Sequence, residues 1–424
     1  MNQQETKNAG VTSAEIICVG TELLLGQIVN TNASWLARSL SLLGLHSYYQ
    51  TVVGDNRQRL AACIRQAAAR SDIVILTGGL GPTQDDLTMA VAAQVAGLPL
   101  RLHEPSRSAI AGYFERMGRQ ATDNNWKQAQ LPDPCIALPN NNGTAPGAII
   151  AYIQDGHPCH LILLPGPPSE MQLMFDESVV PWISSRTRAR LRHVFVRMIG
   201  IGESSAETAL LDLINQQQNP TLAPYASEGE VVFRITQAVR SEDEEDRTAG
   251  LLEAVRQRVG SFIYEVGTRT MPEVLRDLLI ERGQTISYAE SCTGGLATAQ
   301  LTDYPDASRV LRGSIVAYDN DVKTRQLGVS TALLQQEGAV SEACALAMAR
   351  GCRKLFATDW AVAITGIAGP GGGTAQKPVG TVWLAVSGPQ GEETQLLQQG
   401  RNRARIRKVA ALNAHNLVRR QLVR

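Results

Sequence analysis

The sequence predicts an α/β protein in which two parallel-sheet units flank a small α+β unit. Uninterrupted apolar runs such as DIVIL at 72–76 alternate with helical patterns, and such runs are typical of strands buried on both faces of a parallel sheet. Between about 190 and 265, alternating strands surround one helix-like stretch instead. The length of 424 residues, at roughly 150 per domain, indicates about three domains.

The first unit begins with an apolar strand that ends at Gly20. A helix follows, for which Asn32 or Ser34 is the predicted cap and Gly44 the predicted end. The later elements of this unit are a β-type segment, an Ala-rich helix and two buried strands, at 46–53, 57–70, 72–76 and 161–164.

The third unit begins near 267 and again alternates helices with strands. Pro272 stands at the first position of a helix that Gly283 can end. Strands follow at 285–290, 360–366 and 379–388, and the Arg-rich stretch 401–424 predicts an amphipathic closing helix.

The composition excludes several classes of protein. Lysine and arginine together number 40, as do aspartate and glutamate, so the net charge is zero, which argues against a generally basic binder of nucleic acid or anionic lipid. The seven scattered cysteines show no zinc spacing and indicate no disulfide framework. The start of the chain lacks a signal-peptide pattern, and no apolar run reaches about 18 residues. We therefore expect a reduced, cytoplasmic protein.

A first candidate site lies where Gly-bearing segments, at 20–32, 77–86 and 143–147, follow or adjoin predicted strands. Glycines after parallel strands let the backbone approach an anion, and ligands collect at this edge of open α/β sheets. Asp85 and Asp86 add two carboxylates of the kind that bind a divalent cation beside a phosphate. Tight-turn glycines with acidic residues at a helix start would give the same pattern without a ligand.

A second candidate site is the turn AESCTGG (289–295), where a predicted strand runs into a helix start. Ser291 and Cys292 compete as nucleophiles, because backbone N–H groups at such a turn can stabilise an oxyanion. A cysteine nucleophile usually needs a histidine base, and His415 is the one histidine of the third unit.

A serine nucleophile can instead be activated by a neutral lysine whose pKa is lowered by burial or neighbouring charge. Lys323 in AYDNDVK is the candidate base, and Tyr318 can relay a proton. A surface lysine in a loop would fit the same spacing.

The segment GIAGPGGG (366–373) is too rich in glycine for a simple turn and lies between two strong strand signals. It predicts a loop that wraps backbone donors around a phosphate, with Lys377 near by. A flexible linker is the alternative.

Eight strings in this chain, in this order, resemble the CinA family of competence/damage-inducible proteins. They are GTELLLGQIVNTN, TGGLGPTQDD, GTAPG, LPGPPSEM, ASEGEVVFRIT, AESCTGG, GIAGPGGG and KPVGTVW. One six-residue match would carry little weight, but eight in order over about 370 residues are specific.

The resemblance implies a MoaB/Mog-like (molybdopterin-binding) parallel-sheet domain at 1–180, a KH-like α+β domain at 181–265 and an α/β CinA deamidase domain at 266–424. For the first domain it implies hydrolysis of ADP-ribose to AMP and ribose 5-phosphate with a divalent metal ion, Co²⁺ or Mg²⁺. For the third it implies conversion of nicotinamide mononucleotide (NMN) to nicotinic acid mononucleotide and ammonia without a cofactor. Both reactions belong to pyridine-nucleotide recycling, and the resemblance also implies a homodimer.

The resemblance also implies roles for particular residues. In the deamidase domain it places the nucleophile on Ser291, the base on Lys323, a tyrosine on Tyr318 and phosphate-facing arginines on Arg403 and Arg407. The other residues expected at that substrate site are Cys292, Thr293, Gly294, Gly295, Gly369, Gly371, Gly372, Gly373 and Lys377. The expected nucleotide site of the first domain comprises Gly20, Glu22, Asn30, Thr77, Gly78, Gly79, Gly81, Thr83, Thr144 and Pro146, with Asp85 and Asp86 as metal ligands.

The middle domain carries Gly200-Ile201-Gly202 and not the GxxG with which a KH module clamps nucleic-acid backbone. This departure and the zero net charge favour a structural or dimerisation role over RNA binding. Two alternatives stay open at this point: a first domain that binds a nucleotide or a pterin without hydrolysing it, and a non-enzymatic accessory of competence or DNA damage.

Overall fold

The computed structural model describes residues 10–187, 190–225, 227, 229–239, 244–400 and 402–424. The chain forms two compact units: one contains Met1–Arg192 and Ala238–Glu244, and the other contains His193–Gln237 and Glu245–Arg424. The middle α+β stretch therefore shares a unit with the C-terminal stretch. Most of the segment on which the signal-peptide expectation rests lies outside the described residues. Within the described ranges, no helix combines the length and the apolar character that a membrane span requires.

In the first unit, strands alternate with helices as predicted. The strands are β1 (Ala14–Val19), β2 (Gln50–Val53), β3 (Ile73–Thr77), β4 (Leu100–Leu102), β5 (Gln130–Pro132), β6 (Ile136–Leu138), β7 (Gly147–Gln154) and β8 (His157–Leu164). The helices are α1 (Thr21–Leu24), α2 (Thr31–Leu42), α3 (Arg57–Ala68), α4 (Thr88–Ala96), α5 (Glu104–Arg116), α6 (Asp123–Trp126), α7 (Pro168–Met174) and α8 (Val180–Ser184). A 3₁₀ turn at Lys127–Ala129 and a π-helical turn at Phe175–Val179 complete the unit.

The main sheet of this unit has the order β2-β1-β3-β8-β7-β6. Its first four strands are parallel, and β7 and β6 are antiparallel additions at one edge. Residues of α2 and α7 pack on one face and residues of α3 and α4 on the other. Burial on both faces explains the continuous apolar runs in β1 and β3.

The helix α2 begins earlier than we predicted. Its cap is Asn30, whose side chain accepts a hydrogen bond from the Ala33 N–H at 3.1 Å. Asn32 lies in the first turn and donates instead to Thr77 Oγ1 at 3.1 Å and to the Gly166 carbonyl at 2.8 Å. The predicted caps were wrong because NTNAS offers several capping side chains, and Asn32 is drawn into contacts with distant strands that local spacing does not reveal.

The second unit contains the middle and C-terminal stretches. Its strands are β9 (Arg190–Met198), β10 (Thr221–Tyr225), β11 (Val231–Val239), β12 (Ile263–Val266), β13 (Ile286–Glu290), β14 (Leu311–Val316), β15 (Trp360–Gly366), β16 (Thr381–Gly388) and β17 (Gly391–Gln398). Its helices are α9 (Glu203–Gln216), α10 (Thr248–Val259), α11 (Met271–Glu281), α12 (Leu296–Thr302), α13 (Ala307–Val310), α14 (Asn320–Leu327), α15 (Thr331–Gln336), α16 (Glu342–Phe356) and α17 (Arg403–Leu422), with a 3₁₀ turn at Gly260–Phe262.

Two sheets organise this unit. The middle strands have the order β10-β11-β9-β12, and the C-terminal strands have the order β14-β13-β15-β16-β17. In the C-terminal sheet, β14, β13 and β15 are parallel, while β16 and β17 are antiparallel. The predicted helix start near Pro272 is confirmed, since α11 begins at Met271 behind a capping box of Thr270 and Glu273.

The closing helix α17 is buried almost all round, so the prediction of an amphipathic helix was wrong. Every residue from 409 to 418 is buried. One side of α17 packs in the core of the C-terminal sheet, whereas Leu412 packs with Ile199 and Tyr264 of the middle stretch. The middle stretch thus covers a face that an isolated C-terminal domain would expose to water.

Candidate active sites

The C-terminal site is built at the end of β13, the central parallel strand of its sheet. The Ser291 N–H donates to the Ile364 carbonyl at 2.9 Å, which holds Ser291 against the neighbouring strand β15. The chain then turns through Gly294 and Gly295, whose φ values of 61° and 92° lie in the left-handed region that glycine adopts without strain. These glycines let a buried strand turn sharply into α12 directly after Ser291.

Glu290 is a fully buried carboxylate that caps α12. Its Oε2 accepts from the Ala297 N–H at 3.1 Å, and its Oε1 accepts from the Thr298 N–H at 2.8 Å. These bonds occupy donors at the start of the helix, which we had considered for an oxyanion. The N–H groups of Cys292 and Thr293 directly follow Ser291 in the turn, and Glu290 does not engage them.

Lys323 lies in the first turns of α14 and is buried, with 1% of its surface exposed. Its Nζ donates to the Ala317 carbonyl at 2.9 Å and to the Tyr318 carbonyl at 3.1 Å. Burial lowers the pKa of this amine. A neutral amine has two N–H bonds and one lone pair, so two carbonyl partners leave the lone pair to accept a proton. Lys323 is therefore not a surface loop lysine.

The other candidate nucleophile, Cys292, is a protonated thiol at neutral pH. Like the other six cysteines, it is a free thiol, and burial raises its pKa to about 12. His415 is fully buried, its Nδ1 bonds with the Tyr288 hydroxyl at 3.0 Å, and burial lowers its pKa to about 3. A thiol in that state is a poor nucleophile at neutral pH, and His415 does not line the cavity, which favours Ser291.

Ser291 and Lys323 share one cavity of about 230 Å³. Its walls include Ser291, Cys292, Tyr318, Lys323 and Arg403 from our predictions. Arg403 Nη1 donates to the Gly369 carbonyl at 2.6 Å and Nη2 donates to the Tyr318 hydroxyl at 3.3 Å. Because Tyr318 is largely exposed, this arginine–tyrosine pair forms the rim of the cavity.

Other predicted residues of this site lie outside the cavity walls. Lys377 Nζ donates to the Glu337 carbonyl at 2.8 Å, and Arg407 donates to the Thr293 carbonyl at 2.7 Å. Arg407 thus holds the turn after Ser291, which is a supporting position. The remaining predicted residues outside the walls are Thr293, Gly294, Gly295, Gly369, Gly371, Gly372 and Gly373.

Thr365 and Asn320 line the same cavity, and our sequence analysis did not select them. Thr365 Oγ1 donates to the Ala339 carbonyl at 2.7 Å. The signal for Thr365 was the string T-G-x-x-G-P, which occurs as TGGLGP at 77–82 and as TGIAGP at 365–370. Thr77, at the end of β3, likewise donates its hydroxyl to a carbonyl, that of Pro165, at 2.8 Å. Asn320 had no signal beyond its place two positions after Tyr318.

The N-terminal site is a cavity of about 710 Å³ at the carboxyl ends of β1, β3 and β8. Gly78 and Gly79 follow β3 with φ values of 101° and 68°. A Cβ on Gly78 would lie 2.2 Å from the Val19 carbonyl oxygen, so this close approach of two strand ends requires glycine. The predicted residues on its walls are Glu22, Asn30, Thr77, Gly78, Gly79, Gly81, Asp86 and Thr144. Gly20, Thr83 and Pro146 are not on these walls.

The two carboxylates predicted as metal ligands do not occupy equivalent positions. Asp86 lines the cavity, and its Oδ2 accepts from the N–H and Oγ1 of Thr83 at 2.8 and 2.7 Å. Asp85 is exposed and does not line the cavity. Among the described residues, no group of three or more histidine, cysteine or acidic side chains could hold a metal ion. Asp86 fits a Mg²⁺-type site in which ligand phosphates and water supply the other oxygens.

The glycine loop of this site is held by a segment that our sequence analysis missed. Lys127 Nζ donates to the carbonyls of Thr83 and Asp86 at 2.7 and 2.9 Å, and Gln128 Nε2 donates to the Leu80 carbonyl at 3.2 Å. Both residues lie about forty positions after the loop, in a stretch without a recognisable motif. Glu170 also lines the cavity without having been selected, although it lies within the string LPGPPSEM.

Comparisons with known proteins agree with this architecture. The family model described as "Probable molybdopterin binding domain" matches residues 15–185, "Damage-inducible protein CinA KH domain" matches 193–264, and "CinA C-terminal domain" matches 268–422. These three matches give the MoaB/Mog-like, KH-like and CinA C-terminal domains that the sequence predicts.

Full-length relatives show how far the similarity extends. A CinA-like protein of Dictyoglomus turgidum is 46% identical over 412 residues, which cover 96% of this chain and 99% of that protein. A CinA-like protein of Kosmotoga olearia is 45% identical over 411 residues, which cover 97% and 99%. The crystal structure of competence/damage inducible protein CihA from Agrobacterium tumefaciens is 37% identical, covers 38% of this chain and all of that one, and gives a TM-score of 0.35. Because the two full-length relatives are 46% and 45% identical to this chain and cover 96% and 97% of it, the chain belongs to the CinA family of competence/damage-inducible proteins.

Proposed function

We propose that the C-terminal site hydrolyses the amide of NMN to give nicotinic acid mononucleotide and ammonia. The observation that carries this proposal is that Lys323, whose buried amine donates to two backbone carbonyls, lines the same cavity as Ser291. An amine in this environment is neutral at a lower pH than a free lysine side chain. It can therefore act as the general base for a serine nucleophile without a histidine.

In the first half of the reaction, Ser291 Oγ attacks the carbonyl carbon of the nicotinamide amide. Its proton passes to Lys323 Nζ, either directly or through the Tyr318 hydroxyl. The carbonyl oxygen becomes an oxyanion that the N–H groups of the turn at Cys292 and Thr293 stabilise. The C–N bond then breaks, and the Lys323 ammonium returns a proton to the leaving nitrogen, which departs as ammonia.

In the second half, the nicotinoyl ester on Ser291 is hydrolysed. Lys323 takes a proton from water as the water oxygen attacks the ester carbon, and it gives the proton back to Ser291 Oγ when the ester bond breaks. The products are nicotinic acid mononucleotide, whose new carboxyl group then releases its proton to solvent, and the regenerated serine. No cofactor enters the proposed sequence.

Binding of the substrate phosphate is assigned to the rim of the cavity. Arg403 lies there beside Tyr318, and its guanidinium is a strong partner for a phosphate. None of the described residues that line this cavity is acidic, so an anionic nucleotide meets no carboxylate. Lys377 and the glycines at 371–373 lie outside these walls. We propose that they contact the phosphate when the nucleotide is bound.

We also propose that the N-terminal site hydrolyses ADP-ribose to AMP and ribose 5-phosphate. The glycine loop after β3 offers backbone N–H groups to the diphosphate, and Asp86 would hold a divalent ion such as Mg²⁺ or Co²⁺, with Asp85 as a second, outer carboxylate. When bound, such an ion neutralises phosphate charge and lowers the pKa of a water molecule. Lys127 and Gln128 keep the loop in place for this contact.

The proposal includes a homodimer in the cytoplasm that acts on small nucleotides and not on nucleic acid. The equal number of basic and acidic residues supports the last point, because DNA or RNA binding draws on an excess of cations. The middle KH-like stretch packs against α17, which supports a structural role for it.

The proposals can be tested by incubating the purified protein with NMN and with ADP-ribose in parallel and identifying the products. We expect nicotinic acid mononucleotide with ammonia from the first, and AMP with ribose 5-phosphate from the second. Absence of ammonia would reject the deamidase. Binding of ADP-ribose without turnover would favour a nucleotide- or pterin-binding module, and salt-dependent DNA binding without either turnover would favour the accessory protein.

A further inference from the structure

A second cavity of about 260 Å³ adjoins the N-terminal site, and no step of the proposed reactions uses it. Its walls are mainly apolar. The apolar lining residues are Pro105, Ala109, Ile110, Ala137, Pro139 and Pro146, and the others are His103, Ser106, Asn140, Gly143 and Thr144. The three proline rings have fixed φ angles, so this part of the wall is preformed and pays little entropy to receive a ligand.

The loop between β6 and β7, residues 139–146, contributes to the walls of both cavities. Thr144 lines both cavities. Asn140 lines the second, and its Nδ2 donates at 2.7 Å to Oε2 of Glu170, which lines the first. The two cavities therefore lie next to each other, with Thr144 in the wall of both.

The chemistry of the second cavity differs from that of the first. None of the described residues lining it is a lysine, arginine, aspartate or glutamate, so it offers nothing to a phosphate or a metal ion. Apolar walls of this size suit a flat, uncharged ring that stacks on aliphatic surfaces.

One lining residue of the cavity, His103, can donate a hydrogen bond to a ring nitrogen. His103 Nδ1 accepts from the Ser106 N–H at 3.3 Å and pairs with Ser106 Oγ at 2.8 Å, because His103 caps α5. With Nδ1 acting as an acceptor, the hydrogen of the neutral imidazole lies on Nε2. Nε2–H is then a donor that matches the acceptor nitrogens of a purine.

We propose that this cavity is the base subsite of the N-terminal site and takes the purine ring of a nucleotide whose phosphates lie at the glycine loop. The inference rests on the proposed nucleotide specificity of that site and specifies which wall reads the base. The ribose of the nucleotide passes Thr144, and His103 Nε2–H donates to a ring nitrogen.

The test compares two ligands that share a ribose phosphate and differ in the base, AMP and ribose 5-phosphate. Ala109 is exposed on α5 at the mouth of the cavity, so Ala109→Trp should fill it without disturbing the core. Ser108→Trp, next to it on the same helix and outside the cavity walls, is the matched control. We expect Ala109→Trp to weaken AMP binding about tenfold in calorimetric titration and to leave ribose 5-phosphate unchanged. Ser108→Trp should change neither.

A second variant guards against a folding defect. His103→Asn keeps a residue that can cap α5 but removes the Nε2–H donor, and we expect AMP binding to fall about threefold while ribose 5-phosphate is unaffected. If both cavity variants bind AMP as the wild type does, the base subsite is rejected, whether or not ADP-ribose is hydrolysed. If the wild type binds AMP but does not hydrolyse ADP-ribose, the proposed hydrolysis is rejected. The AMP affinities of the same two variants then still test the base subsite. A wild type that binds neither ligand and hydrolyses no ADP-ribose overturns both.

Discussion

The cavities of the N-terminal and C-terminal sites are built on the same kind of turn at the end of a strand, but the side chains that line them have opposite charge. In both, a buried threonine begins the string T-G-x-x-G-P, at the last residue of β3 or one residue before the end of β15, and donates its hydroxyl to a backbone carbonyl. The first cavity is lined by the carboxylates of Glu22, Asp86 and Glu170, and none of its described lining residues is basic. The cavity of the C-terminal site is lined by Lys323 and Arg403 and has no described acidic residue on its walls.

This difference suggests how each site would handle an anionic nucleotide. The C-terminal site has its own cations, so it can bind a phosphate and transfer protons with protein groups alone. The N-terminal site places carboxylates near the region proposed for a diphosphate, which would repel it unless a divalent ion lay between them. The glycine loop thus provides the shape of a phosphate site in both units, and the neighbouring charges decide the chemistry.

The largest expected effect comes from removing the nucleophile of the C-terminal site. Ser291→Ala should lower ammonia release from NMN by several orders of magnitude, because the covalent route is lost. Cys292→Ala is the matched control next to it and should retain activity of the wild-type order, since its thiol has a raised pKa. Loss in Cys292→Ala alone would move the nucleophile by one residue.

Removal of the base should have the next largest effect. Lys323→Met keeps the length and apolar stem of the side chain but has no amine, and we expect a loss of about 10²- to 10⁴-fold in kcat for NMN. Lys354→Met is the control, because Lys354 is exposed on α16 and does not line the cavity. Equal losses in the two variants would show that the cavity assignment is wrong.

The contrast in charge predicts that a chelator separates the two activities. EDTA should abolish AMP formation from ADP-ribose and leave ammonia release from NMN unchanged. Asp86→Asn should lower ADP-ribose turnover about a hundredfold, and Asp85→Asn should lower it less, because Asp85 is exposed and outside the cavity walls. Hydrolysis of ADP-ribose that persists in EDTA would remove the metal from the account.

The smallest effect is a dependence of the deamidase on pH. Because burial lowers the pKa of Lys323 from 10.5, the neutral amine becomes populated at lower pH than in a free lysine. The reaction needs the neutral form, so kcat/KM for NMN should rise with pH through that lowered pKa and then level off. A rate that falls as pH rises across the neutral range would require a protonated group in place of a neutral base.

The sequence alone predicts the local parts of both sites. Buried strands followed by small residues and glycines located the turn at 291–295 and the loop at 77–81, because strand period and turn chemistry act over a few residues. It did not predict where long side chains reach. Lys377 lies outside the cavity on a carbonyl, and Lys127 holds a loop about forty positions earlier in the chain.

The sequence also did not predict how distant parts of the chain pack against each other. The arginines of α17 indicated an amphipathic helix, but Leu412 is covered by the middle stretch, and a partner of this kind leaves no trace in the helix's own period. The burial of Lys323 is also a tertiary property, since 323 is separated from Ser291 by a strand and two short helices. Spacing could suggest this lysine but could not show that it lies in the same cavity.

The most direct test of the Ser291–Lys323 assignment is to trap the covalent intermediate. NMN should be mixed with the Lys323→Met variant and with the wild type, the reactions quenched in acid, and the digested peptides analysed by mass spectrometry. We expect the wild type under turnover to carry a nicotinoyl ribotide ester on the peptide that contains Ser291, localised by fragmentation to its hydroxyl, and Lys323→Met to carry little or none. The same adduct on Cys292, or turnover that leaves no adduct on either residue, would contradict the mechanism.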